Sequence, residues 1–312
     1  MNGLKNYCTH IIAFFLLFLT LLCGLILCIP ATFQPFFPFQ YYTRNEITSQ
    51  QDALELALAE ASTENRTVII AMVNKAYVEG DDKSMLDLFL NSFWLGENTR
   101  DLVHHLLLVN VDQASYDRCK FLRLHCYRLE TDGVRFDREE VYMSSEFVKM
   151  MWRRTLFLGE VLKRGYSFIF TDTDVLWLRN PFQRLSFNEN IDLQISTDRF
   201  DGDQWSQRNP LNTGFYMIRM SLDGMLHGEV LKNLELTVRF LNTLYFSGFC
   251  QDSKDIRAVT TVHANCCRTM SAKVADLSAV LDSWKRFKRS AVNETSTFGN
   301  LRHAACAHSW GK

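Results

Sequence analysis

Apolar positions in this chain follow two patterns that alternate from about residue 50 onward. Short runs of almost only β-branched and aliphatic residues, at 67–73 and 106–111, have the length and content of strands buried on both faces. Between them, apolar residues recur every three or four positions, as on one face of a helix. Leu54, Leu58 and Ala61 mark such a face over 50–64, with Thr48 or Ser49 placed to cap it. The same reading predicts helices over 84–94, 114–124, 145–163, 222–233 and 276–287. In the long helix over 145–163, the apolar side takes Phe147, Met150, Met151, Leu156 and Leu158. Further strands fall at 167–171, 191–196 and 213–218, with a late one at 259–263. Strands alternating with helices at this spacing predict a layered α/β fold with a mostly parallel sheet. No break in composition marks a second domain.

The N-terminal segment follows neither pattern. Residues 11–29 carry no charge, long enough to span a bilayer as a helix. A cleaved signal peptide usually has a shorter apolar region and a small-residue cleavage site. Here the run ends Leu27-Cys28-Ile29-Pro30, which favours an uncleaved anchor. Lys5 before the segment places the N-terminus in the cytosol and the body in the lumen. The expected organisation is a cytosolic 1–10, an anchor over 11–29, a stem over 30–48 rich in aromatics and proline, and a lumenal domain over 49–312.

Charge narrows the partners. The 34 Lys and Arg balance 35 Asp and Glu, which argues against a nucleic-acid binder. Of the 9 cysteines, Cys8, Cys23 and Cys28 lie in or beside the anchor. Cys119, Cys126, Cys250, Cys266, Cys267 and Cys306 form an even set in the body, as an oxidising lumen allows. Cys119 with Cys126 is the first pair to test. Zinc is a rival for Cys250, Cys266 and Cys267, although their spacing fits no common zinc pattern. Asn65 and Asn293 open glycosylation sequons; Asn293 is preferred because Asn65 directly precedes a buried strand.

The most informative stretch is 166–182. A buried apolar strand with Phe168-Ile169-Phe170 ends abruptly in Asp172-Thr173-Asp174. Ligands of open α/β sheets bind at the carboxyl ends of strands. Two aspartates one residue apart at such an end can share a divalent cation, and hard oxygen donors favour Mg²⁺ or Mn²⁺. A helix cap or turn with solvated acids is the competing reading. It is preferred for the second such spacing, Asp201-Gly202-Asp203.

The run from Thr171 to Phe182 resembles the signature of a plant nucleotide-diphospho-sugar transferase family. That family includes rhamnogalacturonan-II xylosyltransferases and extensin arabinosyltransferases. Further matches follow at Asp112-Gln113, Asp117-Arg118-Cys119, Lys149 to Arg154, Asn212 to Phe215, Phe246 to Cys250 and His263 to Cys267. The resemblance implies a glycosyltransferase-A fold with a mostly parallel central sheet, preceded by one transmembrane helix. It implies a single-pass type II Golgi apparatus enzyme with its catalytic domain in the lumen. Its activity would be retaining transfer of arabinose, xylose or galactose from a nucleotide-diphosphate donor, with UDP-sugar expected. The acceptor would be a cell-wall polysaccharide or a glycoprotein, the cofactor Mn²⁺ or Mg²⁺. Asp172, Asp174 and His263 would hold metal. Asn74, Lys75, Arg153 and Thr173 would meet the donor nucleotide, with Arg154 a further phosphate candidate. Asn212, Gly214 and Asp198 would face the sugar and acceptor. The catalytic group is not assigned.

One departure stands out. Family members carry a further aromatic helix and a Gln-Asp pair after the strand that ends near Arg219. Here Ile218 to Ser221 runs almost directly into Leu222-Asp223-Gly224, and Gln251-Asp252 is not that pair. An internal deletion at this point predicts an impaired enzyme, or a Golgi binding or assembly subunit of the same fold. A metal-dependent hydrolase or nucleotidyltransferase ranks last, because no phosphate-cradling glycine loop is present.

Overall fold

The computed structural model describes residues 44–80, 82–131, 136–140, 143–220, 236–289 and 303–310. The expected anchor, the stem up to residue 43, the helix at 222–233 and the sequon at Asn293 lie outside these residues; the end of the expected stem, from Arg44, is already helical. Among the described residues no helix is long and apolar enough to cross a membrane. Residues from Ser49 onward form one compact unit.

That unit is built on a seven-stranded sheet in the order β3-β2-β1-β4-β7-β6-β8. Helix α1 (Arg44–Ala61) leads into β1 (Thr67–Val73). A short α2 (Lys75–Val78), α3 (Met85–Leu95) and a 3₁₀ turn connect it to β2 (Leu106–Asn110). Then come α4 (Gln113–Phe121), β3 (His125–Arg128), α5 (Ser145–Lys163) and β4 (Ser167–Thr171). Strands β6 (Leu193–Thr197), β7 (Leu211–Ile218) and β8 (Val238–Phe240) complete the sheet. All neighbours pair in parallel except around β7, which runs antiparallel to both β4 and β6.

The runs read as doubly buried strands have helices or chain on both faces. Val68 and Ile70 enter one core cluster with Phe168, Phe170, Phe157 and Val161, while Ile69, Ala71 and Val73 enter the other with Ile169, Phe89 and Trp177. Helix α3 begins where Ser84 accepts from the Asp87 amide and Asp87 answers the Ser84 amide, a reciprocal capping box. In α5, Phe157, Leu158 and Val161 face the core, but Leu156 does not: it is 60% exposed. Val148, Trp152 and Leu156 instead form an exposed stripe at intervals of one helical turn.

A second sheet of three short strands, β5 (Val175–Trp177), β10 (Thr261–His263) and β9 (Phe246–Gly248), packs with α6 (Met270–Arg289) around a third core cluster. A last helix, α7 (Ala304–His308), is joined to this region by a Cys267–Cys306 disulfide. Cys119 bonds Cys126 and Cys250 bonds Cys266, so the three cysteines considered for zinc are all in disulfides. Asn65 lies exposed in the turn before β1.

Candidate active site

Strand order places the site. The chain builds outward from β1 to β2 to β3, then returns to lay β4 against the other side of β1. The crevice at the carboxyl end of β1 and β4 is thus a topological switch point, where open α/β sheets bind ligands. Asn74 follows β1 there, and Asp172 follows β4.

The small sheet supplies the third group. Strand β10 pairs antiparallel with β5 so that His263 stands opposite Val175, and the Ala264 amide donates to the Asp174 carbonyl at 3.0 Å. One ligand atom each of Asp172, Asp174 and His263 lies within 4.8 Å of the others. Gly214 is required for this approach, because a Cβ there would come within 2.2 Å of His263 Cε1. The Gly214 carbonyl accepts from the Asp172 amide at 2.7 Å, tying β7 to the acid pair.

Two cations hold the carboxylates. Lys273, in the first turn of α6, puts Nζ 2.8 Å from Asp174 Oδ2, while His263 Nε2 lies 3.3 Å from Oδ1. Arg154 reaches Asp172 Oδ1 at 3.4 Å, donates to Thr213 Oγ1 at 3.1 Å and lies over the Phe170 ring. Burial acts to raise the Asp174 pKa, but Lys273 and then His263 outweigh it and hold the carboxyl well below its usual range. Asp172 moves the other way. Desolvation by the surrounding protein dominates over Arg154 and raises it, although 37% of its side chain still reaches solvent. Burial acts to lower the His263 pKa, and Asp174 overrides it upward. Tyr77 of α2 is within electrostatic reach of this cluster, and burial pushes its phenol up to about 12.

These donors fit a hard divalent cation. Two carboxylates and an imidazole are an oxygen-rich set of the kind Mn²⁺ and Mg²⁺ accept. His263 Nδ1 and Thr173 Oγ1 are buried without a hydrogen-bond partner, two orphaned polar atoms beside the acids.

The other residues singled out from the sequence are placed as follows. Asn74 is buried, its amide donating to the Phe136 and Arg138 carbonyls at 2.6 and 2.9 Å. Lys75 donates its backbone amide to Asp112 Oδ2, and its side chain reaches Glu79 at the surface. Arg153 turns its guanidinium to the Glu130 carbonyl, at 2.8 Å from Nε. Successive helix residues lie about 100° apart, so only one of the two neighbouring arginines can address the acids; Arg154 is that one. Asp198 Oδ1 accepts from Asn212 Nδ2 at 2.7 Å and from Asn265 Nδ2 at 2.8 Å, a separate cluster. Gly248 leaves room for Asn265 as Gly214 does for His263. Asp201 and Asp203 lie in a solvated loop closed on itself, where Asp201 accepts from the Asp203 amide and the Ser206 hydroxyl.

The tail of the 171–182 stretch positions the acids. Trp177 stacks on Phe93 at 4.8 Å and donates to Thr171 Oγ1. Arg179 pairs with Glu97 at 2.9 Å and donates to the Ile256 and Val259 carbonyls, fixing the loop before β10.

Comparison with known proteins follows the same lines. The family model for nucleotide-diphospho-sugar transferases matches residues 101–223 and 220–277. An uncharacterized Arabidopsis thaliana protein is 49% identical over 306 residues, covering 88% of this chain and 90% of its own. A Dictyostelium discoideum UDP-galactose:fucoside alpha-3-galactosyltransferase is 29% identical over 115 residues, 36% of this chain and 17% of its own. Among solved structures, galactosyltransferase LgtC in complex with donor and acceptor sugar analogs aligns at TM-score 0.35 with 12% identity, over 68% of this chain and 95% of its own. Mouse xyloside xylosyltransferase 1 aligns at 0.37 with 12% identity, over 64% and 98%.

Proposed function

Because the chain belongs to the nucleotide-diphospho-sugar transferase family, we propose that it moves one sugar from a UDP-sugar to a cell-wall polysaccharide or glycoprotein, with retention of configuration. The observation that carries this reading is the convergence of Asp172, Asp174 and His263 at the switch point of the sheet. A divalent cation held there supplies charge neutralisation for the departing diphosphate. Asp172 and Asp174 give it oxygen, and His263, backed against Gly214, gives it nitrogen. Lys273 and Arg154, which hold the carboxylates, are placed to turn their charge to the phosphate oxygens. Thr173 Oγ1 offers a hydroxyl to the same ligand. The Asp198, Asn212 and Asn265 cluster flanks the sugar.

Galactose, xylose and arabinose are the donor sugars to try. UDP-galactose, named for the Dictyostelium relative, heads the screen. Purified protein with Mn²⁺ and each UDP-sugar is expected to turn over one of them. Asp174→Ala should abolish that turnover; a variant that works as well as the parent would remove the metal assignment. The disulfides Cys119–Cys126, Cys250–Cys266 and Cys267–Cys306 support a lumenal body, since such bonds persist in oxidising compartments. A Golgi apparatus membrane, entered through the 11–29 anchor, is the proposed location. Protease protection in sealed microsomes tests it.

A second reading has its own support. The two stretches matched by the family model meet at 220–223. The 306 aligned residues of the Arabidopsis relative also exceed the 88% of this 312-residue chain that they cover. The relative therefore carries residues with no counterpart here, as an internal deletion near Ser221 would produce. On this reading the chain binds donor but transfers weakly, and serves as a binding or assembly subunit. Normal UDP–Mn²⁺ binding without turnover would favour it.

A further inference from the structure

Away from the acid cluster, a cleft of about 630 Å³ opens between the loop after β6 and the segment that joins β8 to β9. Its volume falls within the roughly 300–1,000 Å³ of small-molecule sites. Arg184 and Arg239 both line it. Arg239 is half-buried, donating to Gln204 Oε1 at 2.9 Å and Gln194 Oε1 at 3.0 Å, so its partners are neutral amides. Arg184 lies 4.1 Å over the Tyr245 ring. Among the described residues, neither guanidinium has a carboxylate within ion-pair distance. The one acid lining the cleft, Asp203, accepts from the Trp205 amide. Burial lowers the Arg239 pKa, which is to say that the protein desolvates this cation without giving it an anion. Trp205 adds an indole 47% exposed at the same cleft.

We propose that this cleft is a subsite for an anionic glycan, one whose sugar rings carry carboxylates. An aromatic face suits the apolar side of a sugar ring. A guanidinium fork suits a carboxylate, which it can bind through two parallel hydrogen bonds. Both are needed together only if the ligand offers ring and charge together, as a uronic acid does. The cleft also stands next to the sugar side of the acid site along the chain. Its loop begins just after Asp198, and Phe246 leads directly to Gly248 beside Asn265. Calling this ligand the acceptor rests on the transferase reading; the binding itself does not.

The test uses the full chain and linear oligogalacturonate, by calorimetry, against the fully methyl-esterified oligomer as a neutral isostere. The free acid is expected to bind, and the ester to bind at least about tenfold more weakly, the loss of one charge-assisted pair. Arg239→Gln and, separately, the exposed Arg184→Gln should each weaken the acid by about the same factor. UDP binding with Mn²⁺ serves as the folding control, and Arg184→Gln decides the matter if Arg239→Gln does not fold. Equal binding of acid and ester, or no effect of either substitution, overturns the proposal. So does displacement of the oligogalacturonate by UDP without metal, which would make the cleft a phosphate site. Transferase failure with oligogalacturonate binding intact removes the function proposed above and leaves the subsite standing. The opposite result removes the subsite alone.

Discussion

Replacing Lys273 by methionine separates two roles that one ammonium group is placed to play. Its Nζ sits 2.8 Å from Asp174 Oδ2, with 20% of the lysine side chain and 4% of the aspartate exposed. At an effective dielectric near 20, unit charges at that separation attract by roughly 6 kcal/mol before desolvation is counted. Removing one partner of a buried pair costs about 3–5 kcal/mol net, because the other charge is left behind. His263 stays 3.3 Å from the second oxygen, so the lower end of that range is expected without added metal, read by urea denaturation. The second role concerns ligands. Asp172 and Asp174 are matched by Arg154 and Lys273, so these four charges cancel. A divalent cation entering alone leaves an uncompensated buried charge, whereas a nucleoside diphosphate entering with it restores the balance. Mn²⁺ and UDP should therefore bind jointly, each strengthening the other. Methionine at 273 removes both the competitor for Asp174 and the charge that meets phosphate. Calorimetry should then show Mn²⁺ alone binding about tenfold more tightly than in the parent, and UDP in the presence of Mn²⁺ about tenfold more weakly. A variant that binds Mn²⁺ alone more weakly refutes the competition argument, whatever happens to UDP.

Gly214→Ala would set a methyl within 2.2 Å of His263 Cε1, so the imidazole must swing away. Mn²⁺ affinity with UDP present should drop at least about tenfold while the circular dichroism spectrum persists; unchanged affinity would take His263 out of the ligand set. The pH dependence has a definite sign. Asp174 overrides burial and raises His263 above its ordinary 6.5, so without added metal the pair stabilises the fold below that pH. That contribution is lost as pH rises through the raised value. Metal needs the neutral ring, so Mn²⁺ affinity should climb over the same interval. Melting curves with and without Mn²⁺ should diverge as pH rises, and parallel curves would exclude the imidazole.

The middle of the large sheet is legible in the sequence because β1, β2 and β4 are apolar runs, and β1 and β4 begin and end where those runs do; the edge strands β3 and β8, 4 and 3 residues long and interrupted by charge, are not anticipated. The small sheet is legible only in part: β10 falls inside the strand expected at 259–263, but β5 and β9, each 3 residues long, are too short for periodicity to register, and β5 reads as the tail of the acid motif. Yet pairing in that sheet carries His263 to Asp174. Lys273 escapes notice for a related reason. Expecting the closing helix to start at 276 leaves Lys273 in a loop, where a lysine reads as solvated surface. The missed signal is Thr269, whose hydroxyl accepts from the Ala272 amide and marks an earlier start. Arg153 and Arg154 are indistinguishable by composition. Only the phase of α5, fixed by Phe157, Leu158 and Val161 in the core, selects the second.

The geometry of β7 bears on what a deletion near Ser221 can do. Because β7 runs antiparallel to β4, Phe215 pairs with Thr171 beside the acids, and Ile218 pairs with Phe168 near the start of β4. The Met220 amide donates to Ser167 Oγ at 3.0 Å, so the chain leaves β7 at the amino end of β4. At about 3.3 Å per residue, that exit lies roughly 17 Å of strand away from the acid pair. A deletion there, as the second reading proposes, would remove nothing that positions Asp172, Asp174, His263 or Lys273. Losing one well-placed transition-state contact costs about 10²–10³ in rate, with ground-state binding largely spared. The two proposed readings therefore call on the same acid cluster for the donor and differ in turnover alone.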